Sequence, residues 1–210
     1  VGIGQREQYT RIFSGFPLEP FLAVKRDESF RAKLGIGEGD FVIAKLARLF
    51  ELKGHDDLFE AALGIVRAIP NAKFLLIGDG PWRAKFEAKA LAPELKGRVV
   101  FTGLVKPTEI PGFLGVADVL VHLSYREGLP RALSQALAAA LPVVAYDCDG
   151  ASEVCLESRT GFLIPKRDLA ALSDRLARLA GDAELRKRFG DEGRRFVREN
   201  FAVEKMVDVI

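Results

Sequence analysis

The chain has 210 residues, 49% of them apolar, with 31 lysines and arginines against 29 aspartates and glutamates. That length can bury one sizeable core, and a formal charge of +2 with both signs interspersed argues against nucleic acid as the main partner. No run approaches the ~18 apolar residues that span a bilayer and no basic-then-apolar leader opens the chain, so a soluble protein is expected.

The stretch from Val1 to Pro20 carries turn residues and one short apolar run at Ile12 and Phe13, and reads as cut from something longer. From Phe41 the chain alternates. Phe41 to Leu46 reads as a strand, and Leu58, Ala62, Ile65, Val66 and Ile69 then mark one helix face closed by Pro70. Phe74 to Ile77 is the next strand, ended by Gly78-Asp79-Gly80-Pro81, which starts a helix rich in lysine and alanine. Val99 to Thr102 is a third strand stopped at Gly103, Ile110 to Val116 a short helix, and Val119 to Leu123 a buried strand. Pro130 to Ala140 predicts a helix, Val143 to Ala145 a strand and Gly161 to Ile164 the last strand. Leu169, Leu172, Leu176 and Leu179 line one side of a further helix, and two charged helices follow. Strands alternating with helices imply parallel pairing through right-handed crossovers, hence an α/β doubly wound sheet with extra C-terminal helices. Cys148 and Cys155 lack metal-ligand spacing and are expected to be reduced, partly buried thiols.

In such a sheet the ligand lies beyond the carboxyl ends of the strands, so the residues after each apolar run are the candidates. After the first strand come Arg48 and then Lys53-Gly54, two cations joined by a short loop to a helix start, which suits a diphosphate. The alternative is two ordinary surface bases. Gly78-Asp79-Gly80-Pro81 reads as a plain turn, and the chain contains no P-loop sequence. Glu127-Gly128 sits at a strand end, and Pro130 stands at the first position of the next helix, whose N–H groups face the cleft. Arg131 and Gln135 share a face of that helix. His55 reads as part of a helix start where Asp56 and Asp57 serve as N-terminal charges, and His122 as a satisfied core residue. Ser124 has no His/Asp partner in sequence, which disfavours nucleophilic hydrolysis.

Taken in order, Ala47-Arg48-Leu49 with Lys53-Gly54, Gly78 to Pro81, Val100 to Gly103, Ala117-Asp118-Val119, Ser124 with Glu127 to Pro130, Leu141 to Ala145, Gly150 with Glu153-Val154, and Thr160 to Leu163 form a specific series. On these residues the chain resembles the C-terminal, donor-binding domain of a retaining GT-B glycosyltransferase of the group 1 type. The resemblance implies a connection over 1–22, a Rossmann-like donor domain over 23–210, and an acceptor domain outside this sequence. It implies hexosyl transfer with retention from a UDP-, GDP- or ADP-sugar, with no cofactor and no essential metal. Arg48 and Lys53 would hold the diphosphate and Glu127 the sugar. Gly103, Leu104 and Val105 would border the base. Gly128, Leu129, Pro130 and Arg131 would supply the helix end at the phosphates. Gln135 stands where the family has a second acid for the ribose, and Ala140 where it commonly has glycine. The acceptor would be a glycan, lipid or small molecule brought by the other domain, without which the fragment would transfer nothing. A cytoplasmic protein follows, compatible with attachment at the inner face of the membrane. A nucleotide-sugar 2-epimerase and a non-catalytic nucleotide or protein interaction module remain the alternatives.

Overall fold

The computed structural model describes Gln5 and residues 12–207; Val1 and most of the expected connection before Ile12 lie outside the described residues. Six strands, β1 (Phe41–Leu46), β2 (Ala72–Ile77), β3 (Val99–Phe101), β4 (Val119–His122), β5 (Val143–Tyr146) and β6 (Gly161–Ile164), form one sheet in the order β3-β2-β1-β4-β5-β6. Every pairing is parallel, as the near-continuous apolar runs demand of strands covered on both faces. The register sets Ile43 against Phe74 on one side and Val119 on the other.

The strand direction of growth reverses between β1 and β4. At that point successive crossovers leave on opposite sides, and the crevice beyond the strand ends is the place such sheets bind ligands.

The helices are α1 (Glu19–Leu22), α2 (Glu28–Lys33), α3 (His55–Ala68), α4 (Arg83–Ala90), α5 (Ile110–Gly115), α6 (Arg131–Ala138), α7 (Leu169–Gly181), α8 (Ala183–Asn200) and α9 (Val203–Val207). One face of the sheet buries Val42, Ala44, Leu120 and Val143 with Leu133 and Leu137 of α6, Val197 of α8 and Phe21 of α1. The other buries Ile43, Val121 and Val144 with Leu58 and Ile65 of α3 and Leu172, Leu176 and Leu179 of α7. Leu169, the first of the predicted leucine stripe, is only partly buried. Phe16, Leu18 and Phe21 belong to the first cluster, so packing reaches back before residue 23.

Helix boundaries follow local chemistry. Asp27, Asp168 and Asp182 cap α2, α7 and α8 by accepting from Phe30, Ala171 and Leu185 backbone N–H groups. α6 ends two residues earlier than the sequence suggested, because Ala140 adopts φ +58. That left-handed conformation explains why a glycine suits this position.

Candidate functional site

The site is built from the loops that follow β1 and β4. After β1 the chain runs through Arg48 to the short helical turn Glu51–Lys53, then through Gly54 at φ +65 into α3. A Cβ at Gly54 would run into the Leu123 carbonyl oxygen, so only glycine lets the start of α3 press against the end of β4. This contact brings the two loops together. Lys53 Nζ donates to Glu127 Oε2 at 2.5 Å, and both side chains are about a quarter exposed, at 26% and 27%.

The Glu127 loop is held from several sides. The Glu127 N–H donates to Asp149 Oδ2 at 2.8 Å, and its carbonyl accepts from the Gly150 N–H at 3.4 Å. Gly150 packs so closely on the Gly128 carbonyl that a Cβ there would collide with it. The Tyr125 N–H donates to the Leu52 carbonyl at 3.0 Å, and the Tyr125 carbonyl accepts from Lys166 Nζ at 3.1 Å. Pro130 is buried and forms the N-cap of α6 without any side-chain cap, leaving the first N–H groups of that helix directed outward.

The other predicted residues take distinct places. Arg48 is exposed, its guanidinium resting 5.6 Å from the Phe50 ring centre, whereas the ion pair with Glu127 is made by Lys53. Gly103, at φ +73, bridges to Gly78 and closes the end of β3; Leu104 is 87% exposed beside it and Val105 packs on the core. Gly128 and Arg131 are exposed, while Leu129 and Gln135 are half-buried. The Gly78 to Pro81 segment links β2 to α4, with Gly78 at φ +133 and both glycines pressed on the loop after β1, Gly78 on the Ala47 carbonyl and Gly80 on the Leu49 carbonyl.

Beneath the crevice lies a polar layer that sequence reasoning missed. Lys45 of β1 is 1% exposed, and burial pushes its ammonium down to about 7, helped by the repulsion of Lys53 and opposed by Asp57 and Glu127. His122 was expected to be a satisfied core residue. It is buried, but its Nε2 has no hydrogen-bond partner among the described residues and lies 3.9 Å from Glu127 Oε2, because β4 ends there and delivers the ring to the floor of the crevice. Burial, then the charges of Lys45 and Lys53, lower its pKa to about 3, so the imidazole is neutral. His55 is likewise neutral, lowered to about 2 by burial and the same two lysines, with both ring nitrogens unpartnered against Phe86. The Ser124 hydroxyl is buried and unpartnered, and its carbonyl accepts from the Cys148 thiol at 3.0 Å.

Nor are Asp56 and Asp57 simple N-terminal charges. Asp56 is bound by Lys85 and Lys89, both at 2.6 Å, and Asp57 is 3% exposed and accepts from two tyrosine hydroxyls. The only early signal was a lysine and a histidine inside apolar strands. Both cysteines are free and buried, as expected. Among the described residues no group of three or more His, Cys, Asp or Glu is placed to hold a metal ion, and no helix is long and apolar enough to cross a membrane.

The family model for glycosyl transferases group 1 matches residues 26–196. The chain belongs to that family. It is 29% identical over 184 residues to the N-acetyl-alpha-D-glucosaminyl L-malate synthase of Bacillus anthracis, covering 87% of this chain and 48% of that protein. It is 31% identical over 182 residues to the 2-deoxystreptamine glucosyltransferase of Streptomyces kanamyceticus, covering 84% and 46%. The group 1 chain thus spans about half the length of these curated relatives. Its fold matches the Anabaena protein HepE, crystallised in complex with UDP and glucose, with a TM-score of 0.84 at 22% identity over 98% of this chain and 56% of that one. The sheet is therefore a Rossmann-like half of the GT-B architecture, and the 2-epimerase alternative is not favoured by these matches.

Proposed function

We propose that this chain is the donor-binding half of a retaining hexosyltransferase that uses a nucleoside-diphosphate sugar. The observation that carries the reading is the meeting of Lys53 with Glu127 at the β1/β4 crevice, beside the uncapped start of α6. A cation, a carboxylate and free helix N–H groups at one point match a diphosphate joined to a polyhydroxylated ring.

The spacing fits as well. Gly103-Leu104-Val105 follow β3, three strand spacings from β4, or about 14 Å across the strand ends. A nucleoside diphosphate laid along that edge sets its base against Leu104 and Val105, its phosphates over Arg48, Lys53 and the Gly128 to Arg131 turn, and its sugar on Glu127. Gln135, one turn into α6, takes the ribose hydroxyls through its amide, which both donates and accepts.

In the reaction the bond between the anomeric carbon and the phosphate oxygen breaks and its electron pair leaves with the diphosphate, while an acceptor hydroxyl oxygen forms the new bond to the anomeric carbon and its proton passes to the departing diphosphate. Arg48, Lys53 and the α6 N-terminus stabilise that charge, which is the part of the barrier fixed cations and dipoles lower most. Transfer therefore needs no metal. Retention and the hexosyl class rest on the resemblance of the ordered motifs. The acceptor, a glycan, lipid or small molecule, meets the donor from the part of the protein outside this chain, which by itself transfers nothing. The buried free thiols Cys148 and Cys155 support a cytoplasmic location, which includes the inner membrane face for a lipid acceptor.

Titration calorimetry with UDP tests the assignment. Arg48→Ala and Lys53→Ala are each expected to weaken binding by about 1–3 kcal/mol through lost charge-assisted bonds. Equal affinity in both variants and the unaltered chain overturns it.

A further inference from the structure

The Lys53–Glu127 contact joins side chains from two loops, and something must fix the distance between those loops. Lys53 is rigidly connected to α3, whose first turn carries Asp57. Glu127 lies two residues after Tyr125. Between these two flanking residues the structure places a direct bond: the Tyr125 hydroxyl donates to Asp57 Oδ2 at 2.5 Å. The Tyr125 N–H reinforces it by donating to the carbonyl of Leu52, the residue before Lys53.

Asp57 is itself immobilised. Tyr146 of β5 donates its hydroxyl to the same Oδ2 at 2.6 Å, which saturates that oxygen with two donors. Arg167 Nε stands 3.8 Å from Oδ1, and the ammonium of Lys45 is close enough for the two charges to act on each other. The carboxylate also sits at the positive end of α3. Burial and the bond to Asp57 push the Tyr125 phenol up to about 12, so it remains a donor throughout the neutral range.

We propose that Asp57 and Tyr125 are positioning residues for the donor site, tying the loop that carries Glu127 to the helix start that carries Lys53. Neither touches the donor. Their contribution is to hold the cation and the carboxylate at one separation before any ligand arrives, which is preorganisation of the kind that a loose supporting shell loses. This rests on the donor-site reading above.

The test is UDP binding by calorimetry in Tyr125→Phe, Asp57→Asn, Lys53→Ala, the Tyr125→Phe/Lys53→Ala double variant and Tyr146→Phe. Tyr125→Phe and Asp57→Asn are expected to weaken UDP by about tenfold, the size of one charge-assisted hydrogen bond. In the Lys53→Ala background the Tyr125→Phe loss disappears, because the tether then has no cation to place. Tyr146→Phe, which removes one of the two donors to Asp57 but leaves the Tyr125 bond in place, lowers the melting temperature and weakens UDP by less than Tyr125→Phe does. Additive losses for Tyr125→Phe and Lys53→Ala, or unchanged affinity in Tyr125→Phe, overturn the proposal. If the unaltered chain binds no UDP, the donor-site reading fails by itself, and hydrogen exchange at the Tyr125 and Glu127 amides decides the tether. Faster exchange there in Tyr125→Phe supports it, and unchanged exchange overturns it.

Discussion

Lys45 gives the most direct test of the buried polar layer beneath the crevice. It occupies a strand position flanked by Ala44 and Leu46 and is 1% exposed, and its desolvation outweighs the attraction of Asp57 and Glu127. Its pKa is about 7 in the fold against about 10.5 in the unfolded chain. Between those values the unfolded chain holds a proton that the folded chain has released. Stability is therefore complete above the unfolded pKa and falls as pH drops toward the folded one. From about pH 7 to pH 9 the gain approaches 1.4 kcal/mol per pH unit, and is about 2 kcal/mol in total once partial protonation at the lower end is included. Urea denaturation at the two pH values reads it as the difference between the unaltered chain and a variant lacking the ammonium, which cancels the opposing contribution of Cys148 and Cys155, whose thiols are raised by burial and ionise first in the unfolded chain. Lys45→Met, which keeps the length of the side chain and removes the ammonium, is expected to abolish the rise and to be at least as stable as the unaltered chain at neutral pH. The same pH dependence in Lys45→Met and in the unaltered chain refutes the assignment of this lysine as a half-neutral group.

Ala140 holds φ +58 without being glycine, so Ala140→Gly is expected to stabilise the fold by about 1 kcal/mol, measurable as a higher midpoint in urea. His55 and His122 are both buried neutral, and the unfolded chain takes up their protons below about pH 6.5. Stability is therefore expected to fall steadily from pH 6.5 toward pH 3, by up to about 1.4 kcal/mol per pH unit for each histidine, and His122→Gln should reduce the slope of that acid limb.

Much of the crevice edge is legible in the sequence. The apolar runs at Phe41 to Leu46 and Val119 to Leu123 could only be buried parallel strands, and Arg48, Lys53 and Glu127 stand immediately after them. Periodicity reports which residues face a core, and turn chemistry reports where a strand ends; both act over a few residues and so survive in the sequence. The same holds for Pro130 at the start of α6 and for the unusual Ala140, whose backbone strain was foreshadowed by the missing glycine.

Other features depend on contacts between residues far apart in the chain. Asp57 and Tyr125 are 68 residues apart, Asp57 and Tyr146 are 89 apart, and no local pattern marks them as partners. Taken alone, Asp57 is indistinguishable from an acid favouring a helix dipole, which is how its neighbourhood reads in sequence. Likewise His122 in an apolar strand looks like any core histidine until the end of β4 sets its ring beside Glu127. Local patterns in the chain are enough for the order of strands and helices, the family motifs and the side chains available at the strand ends. Which of those side chains meet is set by long-range packing, because the order β3-β2-β1-β4-β5-β6 makes neighbours of β1 and β4 and closes the gap between Lys53 and Glu127.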